Sequence, residues 1–211
     1  MATQNERRRS FVVPGLVGPA LFFLVMLVAG AMTPGYDALA RFVSELSIGP
    51  LGWIMITNFV VFGVLVVLFA IGLWRGFGSS ASGKAGAALI AIAGVGLIFA
   101  GLFVADMEST TATASGAIHD LASVVVFLGL TLACFAFAWR FRSDRVFALY
   151  SLVTGVLIPP LFLATPSGGD LLGLIQRILI AIAWTWLTVL AIRLDRQGKG
   201  VIARGTAHAI V

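Results

Sequence analysis

Six stretches of this chain, residues 14–32, 52–74, 85–104, 118–139, 146–164 and 171–192, are almost free of charge. Each has roughly the ~20 residues that a helix needs to cross a ~30 Å hydrocarbon core. Lipid offers no water to the backbone, so an open strand would leave N–H and C=O groups unpaired, whereas a helix satisfies them within its own segment. The pattern predicts an all-α, polytopic membrane bundle of six transmembrane helices. With 60% hydrophobic and 11% charged residues, the chain is too apolar for an ordinary soluble domain. One bundle accounts for the whole chain, so a single membrane domain over residues 1–211 is expected.

The basic residues orient that bundle. Of the 14 Lys and Arg, all but Arg41 and Arg177 lie before the first span, after the last, or in the second and fourth connections. By the positive-inside rule that side is cytoplasmic, which puts both termini inside and makes the protein a multi-pass protein of the plasma membrane. The net charge of +5 is thus a topology signal with some affinity for anionic lipid heads. Nucleic acid is not an expected partner, because no basic patch is interleaved with aromatics. "RRRSFV" resembles a twin-arginine export motif and "AGA" at 29–31 a cleavage site. Cleavage would leave five spans and move the N-terminus outside, so the first span is expected to be retained. Cys134 stands alone inside an apolar run, so there is no disulfide framework.

Six of the nine acids fall in the outer connections or at their edges: Asp37, Glu45, Asp106, Glu108, Asp120 and Asp170. In the first outer connection, Tyr36, Leu39, Ala40, Val43 and Leu46 recur at helical spacing. Asp37, Arg41, Ser44 and Glu45 share the opposite face, with Asp37–Arg41 and Arg41–Glu45 as i,i+4 pairs. This predicts a short amphipathic helix at the outer interface between spans 1 and 2, either a solvated ion-pair face or a lid that points Glu45 into the bundle mouth. Asp106 follows the third span, and His119 falls in the first turn of the fourth with Ser123 on its face. A histidine among carboxylates at an interface suits proton transfer near neutral pH.

Arg177 lies about 9 Å inside the last span, where a charge costs a few kcal/mol unless it is paired, faces a wet cavity or snorkels to the interface. Pairing with Asp106, Glu45 or Asp120 is one expectation, and presenting a guanidinium to an anionic ligand is another. Asn58 lies at similar depth and is expected to face the same interior, because an unpartnered amide in lipid is costly. Trp184 continues the face of Arg177 inward, as one wall of an apolar pocket below a polar mouth. No His-x3-His pair supports a metal site and no nucleophile elbow supports a hydrolase. No metal and no cofactor is expected. The small residues of "GKAGAALIAIAGVG" indicate close helix packing.

In order along the six spans, "SELSIGPLGW", "NFVVFG", "GLFVADM", "HDLAS" and "GLIQRILIAIAW" resemble the DUF998 family of bacterial and archaeal integral membrane proteins. The resemblance implies a six-helix membrane fold and singles out Ser44, Glu45, Asn58, Asp106, His119 and Arg177. The family's "SELG" stands here as "SELS", with Gly49 further on, which implies a different turn after Glu45. The family name carries no activity.

Three functions fit. The first is a pocket open to the outer leaflet that binds or modifies a lipidic or amphipathic molecule. There Asp106, His119 and Glu45 would serve as acid and base, and Arg177, Asn58, Ser44, Trp184 and Ser123 as ligand contacts; acid-initiated isoprenoid cyclisation is one form of it. The second is a small transporter or channel, although the inner halves of the spans carry no charges to continue a path. The third is a structural or regulatory subunit of a membrane complex. A homo-oligomer is compatible with each.

Overall fold

The computed structural model describes residues 4–107, 111–165 and 169–208, with side chains over 11–107, 111–165 and 169–196. Six α-helices carry the chain: α1 (Gln4–Met32), α2 (Gly52–Phe77), α3 (Ala81–Leu102), α4 (Ala114–Arg140), α5 (Arg145–Ala164) and α6 (Leu172–His208). There is no strand among the described residues. Each helix holds a segment long and apolar enough to cross a membrane. The expected spans fall within these segments, apart from residues 103 and 104, which lie just past the end of α3.

Every helix packs on the one before it, and α6 returns to α1 and closes a ring of six. The α1–α2, α3–α4 and α5–α6 connections form an acid-rich end; the other two connections form a basic end. The ring is drawn tight where side chains are smallest. A Cβ on Gly63 would lie 2.6 Å from the backbone oxygen of Gly94, and one on Gly94 would lie 2.9 Å from that of Gly63. The small residues of α3 therefore let its backbone meet that of α2.

Aromatic rings fill the middle. Toward the basic end, Phe77 stands 5.8 Å from Phe137 and 5.3 Å from Phe141, and Trp186 packs on Phe137. The Trp186 Nε1–H donates to Ser151 Oγ at 3.0 Å, so the polar tip of this buried ring is satisfied. Toward the acid-rich end, Phe62 and Phe22 lie 4.9 and 5.8 Å from Trp184, on which Phe127 stacks nearly parallel. The outer surface carries large apolar side chains such as Leu27, Leu121, Val146 and Leu163, each more than 60% exposed. In water such a coat would drive association; in lipid it is already solvated. Exposed Trp53 and Trp139 stand near opposite ends of the bundle, where amphipathic rings favour the membrane interface.

The first acid-rich connection differs from expectation. In place of an amphipathic helix from Tyr36 to Leu46, helix is confined to one 3-10 turn, Ser44–Ser47. Gly35 takes φ +70°, and the Asp37 carboxylate accepts from the N–H of Leu39 at 2.8 Å and of Ala40 at 3.4 Å. A short carboxylate that caps its own following amides stabilises a turn in competition with a helix. Arg41 accordingly pairs with Glu45, at 2.7 Å.

The backbone approach of α2 and α3 sets a testable expectation. Gly94→Val should force these helices apart and destabilise the protein by about 1–3 kcal/mol, as overpacking does. Lipid-facing Leu27→Val should change little. Equal thermal melting of both variants and the wild type in detergent would refute the close seam.

Candidate functional site

Helix ends leave amides and carbonyls without partners inside the helix, and side chains supply several of those partners at the acid-rich end. His119 in α4 is buried and faces the end of α3, with Nδ1 2.8 Å from the Ala100 oxygen and 3.0 Å from that of Phe103. Both partners only accept, which places a proton on Nδ1; in the neutral ring Nε2 is then an acceptor. Among the described residues no donor reaches Nε2. One nitrogen of His119 thus holds the fold and the other is spare.

Asp106 is committed. Its carboxylate accepts from Thr113 N–H and from Thr113 Oγ–H, both at 2.7 Å, while Thr113 Oγ accepts from Gly116 N–H at 3.1 Å as the N-cap of α4. The Thr113 backbone bond, aided by its hydroxyl, holds the Asp106 carboxyl below the usual carboxylate value, which keeps it ionised. A Cβ on Gly116 would collide with this carboxylate, so the glycine makes room for the cap.

Arg177 pairs with no carboxylate among the described residues. Its Nη2–H donates to Tyr36 Oη at 2.6 Å, and Nη1 donates to the oxygens of Gly173 at 2.9 Å and Arg41 at 3.2 Å. Tyr36 in turn donates to the Phe42 oxygen at 2.9 Å; burial raises its phenol above the ordinary value, which keeps it a donor. Next to Arg177, Gln176 Oε1 accepts from Val43 N–H at 2.6 Å, and Leu174 N–H donates to the Leu39 oxygen at 3.0 Å. The first connection is therefore stapled to the start of α6. Gly173 permits the contact, since a Cβ there would strike the backbone oxygens of Arg41, Ala38 and Leu39. Glu45 belongs to the same clamp: its carboxylate takes Arg41 Nε at 2.8 Å and Phe42 N–H at 3.0 Å.

Asn58 is buried and faces inward, donating to the Phe22 oxygen of α1 at 3.1 Å. It ties α2 to α1 and lines neither of the cavities beside His119.

Two adjoining cavities gather the remaining candidates. A vestibule of about 490 Å³ at the acid-rich end is lined by Asp106, Asp120, His119, Ser44, Ser123 and Thr165, among others, with Phe127, Phe162 and Leu179 as apolar wall. Among the described residues, neither Lys nor Arg lines it. Behind it, a cavity of about 30 Å³ runs down to Trp184. Ser44, His119, Ser123, Phe127 and Gln176 line both and form the neck between them. Trp184 is 1% exposed, and its Nε1–H has no partner among the described residues.

Of the residues expected to bind or react, Ser44, His119, Ser123, Asp106 and Trp184 are thus brought to these cavities. Arg177 and Glu45 clamp the connection above, and Glu108 lies outside the described residues. Among the described residues, no three His, Cys, Asp or Glu side chains gather as a metal ion would require. Sequence reasoning passed over Tyr36, Thr113 and Gln176. Gln176 carried the signal that singled out Asn58, a polar amide inside an apolar run; Tyr36 was hidden on the apolar face of a helix that does not form.

A family model described as protein of unknown function (DUF998) matches residues 16–193. No curated protein and no solved structure matches the chain.

The Asp106 cap predicts a pH dependence. A carboxyl whose folded value is lowered stabilises the fold above its unfolded value, near 3.8, and that contribution is lost as pH falls through the lowered value. Asp106→Asn should therefore melt below the wild type at pH 7, with the gap closing as the pH drops below about 4. A gap that persists unchanged at pH 3 would show that the ionised carboxylate is not what caps α4.

Proposed function

The chain belongs to the DUF998 family and carries six helices long and apolar enough to cross a membrane; from that premise we propose that it binds a small amphipathic molecule in the acid-rich vestibule. The observation that carries this reading is the lining itself. A volume of about 490 Å³ lies within the range of small-molecule sites, which join an apolar wall to a few polar groups. Asp106 and Asp120 stand at its edge with no basic residue among the described residues of its lining, which favours a neutral or cationic head over an anionic one. The donors of Arg177 are turned toward Tyr36 and backbone oxygens, so it supports the roof of the site. The aromatic packing of Phe77, Phe137, Phe141 and Trp186 below favours a closed pocket over a pore. His119 Nε2 is the group available for acid–base work on a bound molecule.

In this reading the basic end and both termini face the cytoplasm, and the vestibule opens at the outer face of the plasma membrane. The support is the distribution of Lys and Arg, of which only Arg41 and Arg177 belong to the acid-rich end.

Two measurements test these statements. Purified protein titrated with decylammonium, 1-decanol and decanoate should be stabilised thermally by the first two, with decanoate at least about tenfold weaker, since like charges disfavour it. Stabilisation by none of the three would sink the pocket. On intact cells, an impermeant maleimide should label Thr111→Cys but should label Ser143→Cys only after permeabilisation, with buried Cys134 silent in both. The reverse pattern would invert the orientation.

A further inference from the structure

The small cavity behind the vestibule presents complementary groups that the fold leaves unused. Trp184 Nε1–H is a donor with no acceptor among the described residues, although a buried indole N–H ordinarily finds one. His119 Nε2, with Nδ1 occupied by Ala100 and Phe103, is in the neutral ring an acceptor without a donor among the described residues. Both side chains line the same cavity of about 30 Å³, with Ser44 and Ser123 between it and the vestibule. A water-sized oxygen requires about 10–15 Å³ by this measure, so the space holds roughly two oxygens.

The geometry points to a hydroxyl site: the cavity between Trp184 and His119 receives the O–H group of the molecule held in the vestibule. An oxygen on Trp184 Nε1–H must accept, and one beside His119 Nε2 must donate. A single oxygen that bridges the two must therefore do both, and only an O–H group such as that of water or an alcohol meets that condition. An ether or ketone accepts but cannot donate. An ammonium donates but cannot accept from Trp184, and it would also bring a buried charge without a counter-ion. Phosphate and sugar heads are too large for the space. The neck side chains Ser44 and Ser123 suit the passage of a hydroxyl, and Phe127, which lines both spaces, provides a surface for the first carbons of its chain. A bound alcohol would make there the same hydrogen bonds that a water could make.

This inference rests on the vestibule reading, and the test separates the two. Thermal-shift titrations of the full chain in detergent would compare 1-decanol with decyl methyl ether, for wild type, Trp184→Phe and His119→Asn. Asparagine retains an N–H near the position of Nδ1 for the α3 carbonyls and removes Nε2. Wild type should bind the alcohol about tenfold or more tightly than the ether, as sites built around a substrate hydroxyl do. Each variant should bring that ratio near one while still binding the ether. Equal binding of both by wild type, or a preference retained in both variants, would overturn the hydroxyl site and leave the vestibule standing. Binding of neither would overturn the vestibule as well. Should Trp184→Phe fail to fold, His119→Asn alone decides.

Discussion

A helix cannot satisfy its own last carbonyls and first amides, so their partners must come from outside it. The acid-rich end of this bundle is organised around that shortage. His119 takes the carbonyls that end α3; Asp106 and Thr113 cap the start of α4; the Leu39 oxygen takes the Leu174 amide in the first turn of α6. Several of these contacts also bind one element to another, so satisfying a helix end and fixing the site become the same act. The candidate chemistry inherits its geometry from this arrangement. His119 lines both cavities while its Nδ1 is held by the carbonyls at the end of α3.

Packing divides the interior into two regimes. Glycine contacts bring α2 and α3 backbone to backbone, and closure of α6 on α1 confines the aromatic rings within the ring of helices. Near the basic end those rings fit together, with the one buried indole paired to Ser151. Near the acid-rich end they stop short, and Trp184 lacks such a partner. The two buried tryptophans sit two residues apart on α6, and the contrast between them falls where the proposed hydroxyl site lies. A single clamp roofs it. Arg177, Tyr36, Arg41 and Glu45 combine charge, ring stacking and backbone contacts over the same few residues.

The helices were legible in the sequence because their cause is local: apolar length is written into each segment, and basic clusters mark the connections. The inward placement of Asn58 was legible for the same reason, since an amide in lipid has a strong preference that needs no knowledge of its neighbours. Partners were harder to read. The depth of Arg177 called for a counter-charge, yet the fold supplies a phenol and two carbonyls, which no spacing rule brings together from residues 36, 41 and 173. The amphipathic spacing of Tyr36 to Leu46 favoured a helix, while Asp37 and Gly35 chose turns, because capping geometry outweighs periodicity over so short a stretch. The cavities were invisible for a different reason. They are gaps between helices, and a gap depends on the volumes of side chains from four or five segments at once.

The closed ring has a consequence for synthesis. Because each helix packs mainly on its predecessor, five of them acquire neighbours in the order in which they leave the ribosome. The roof of the vestibule follows a different schedule. Tyr36 and Val43 emerge early and wait for Arg177 and Gln176, so the bonds between the first connection and α6 form only when the sixth helix enters. The proposed site would thus be completed last, and a chain halted after α5 would hold most of the helix seams while lacking the roof over the vestibule.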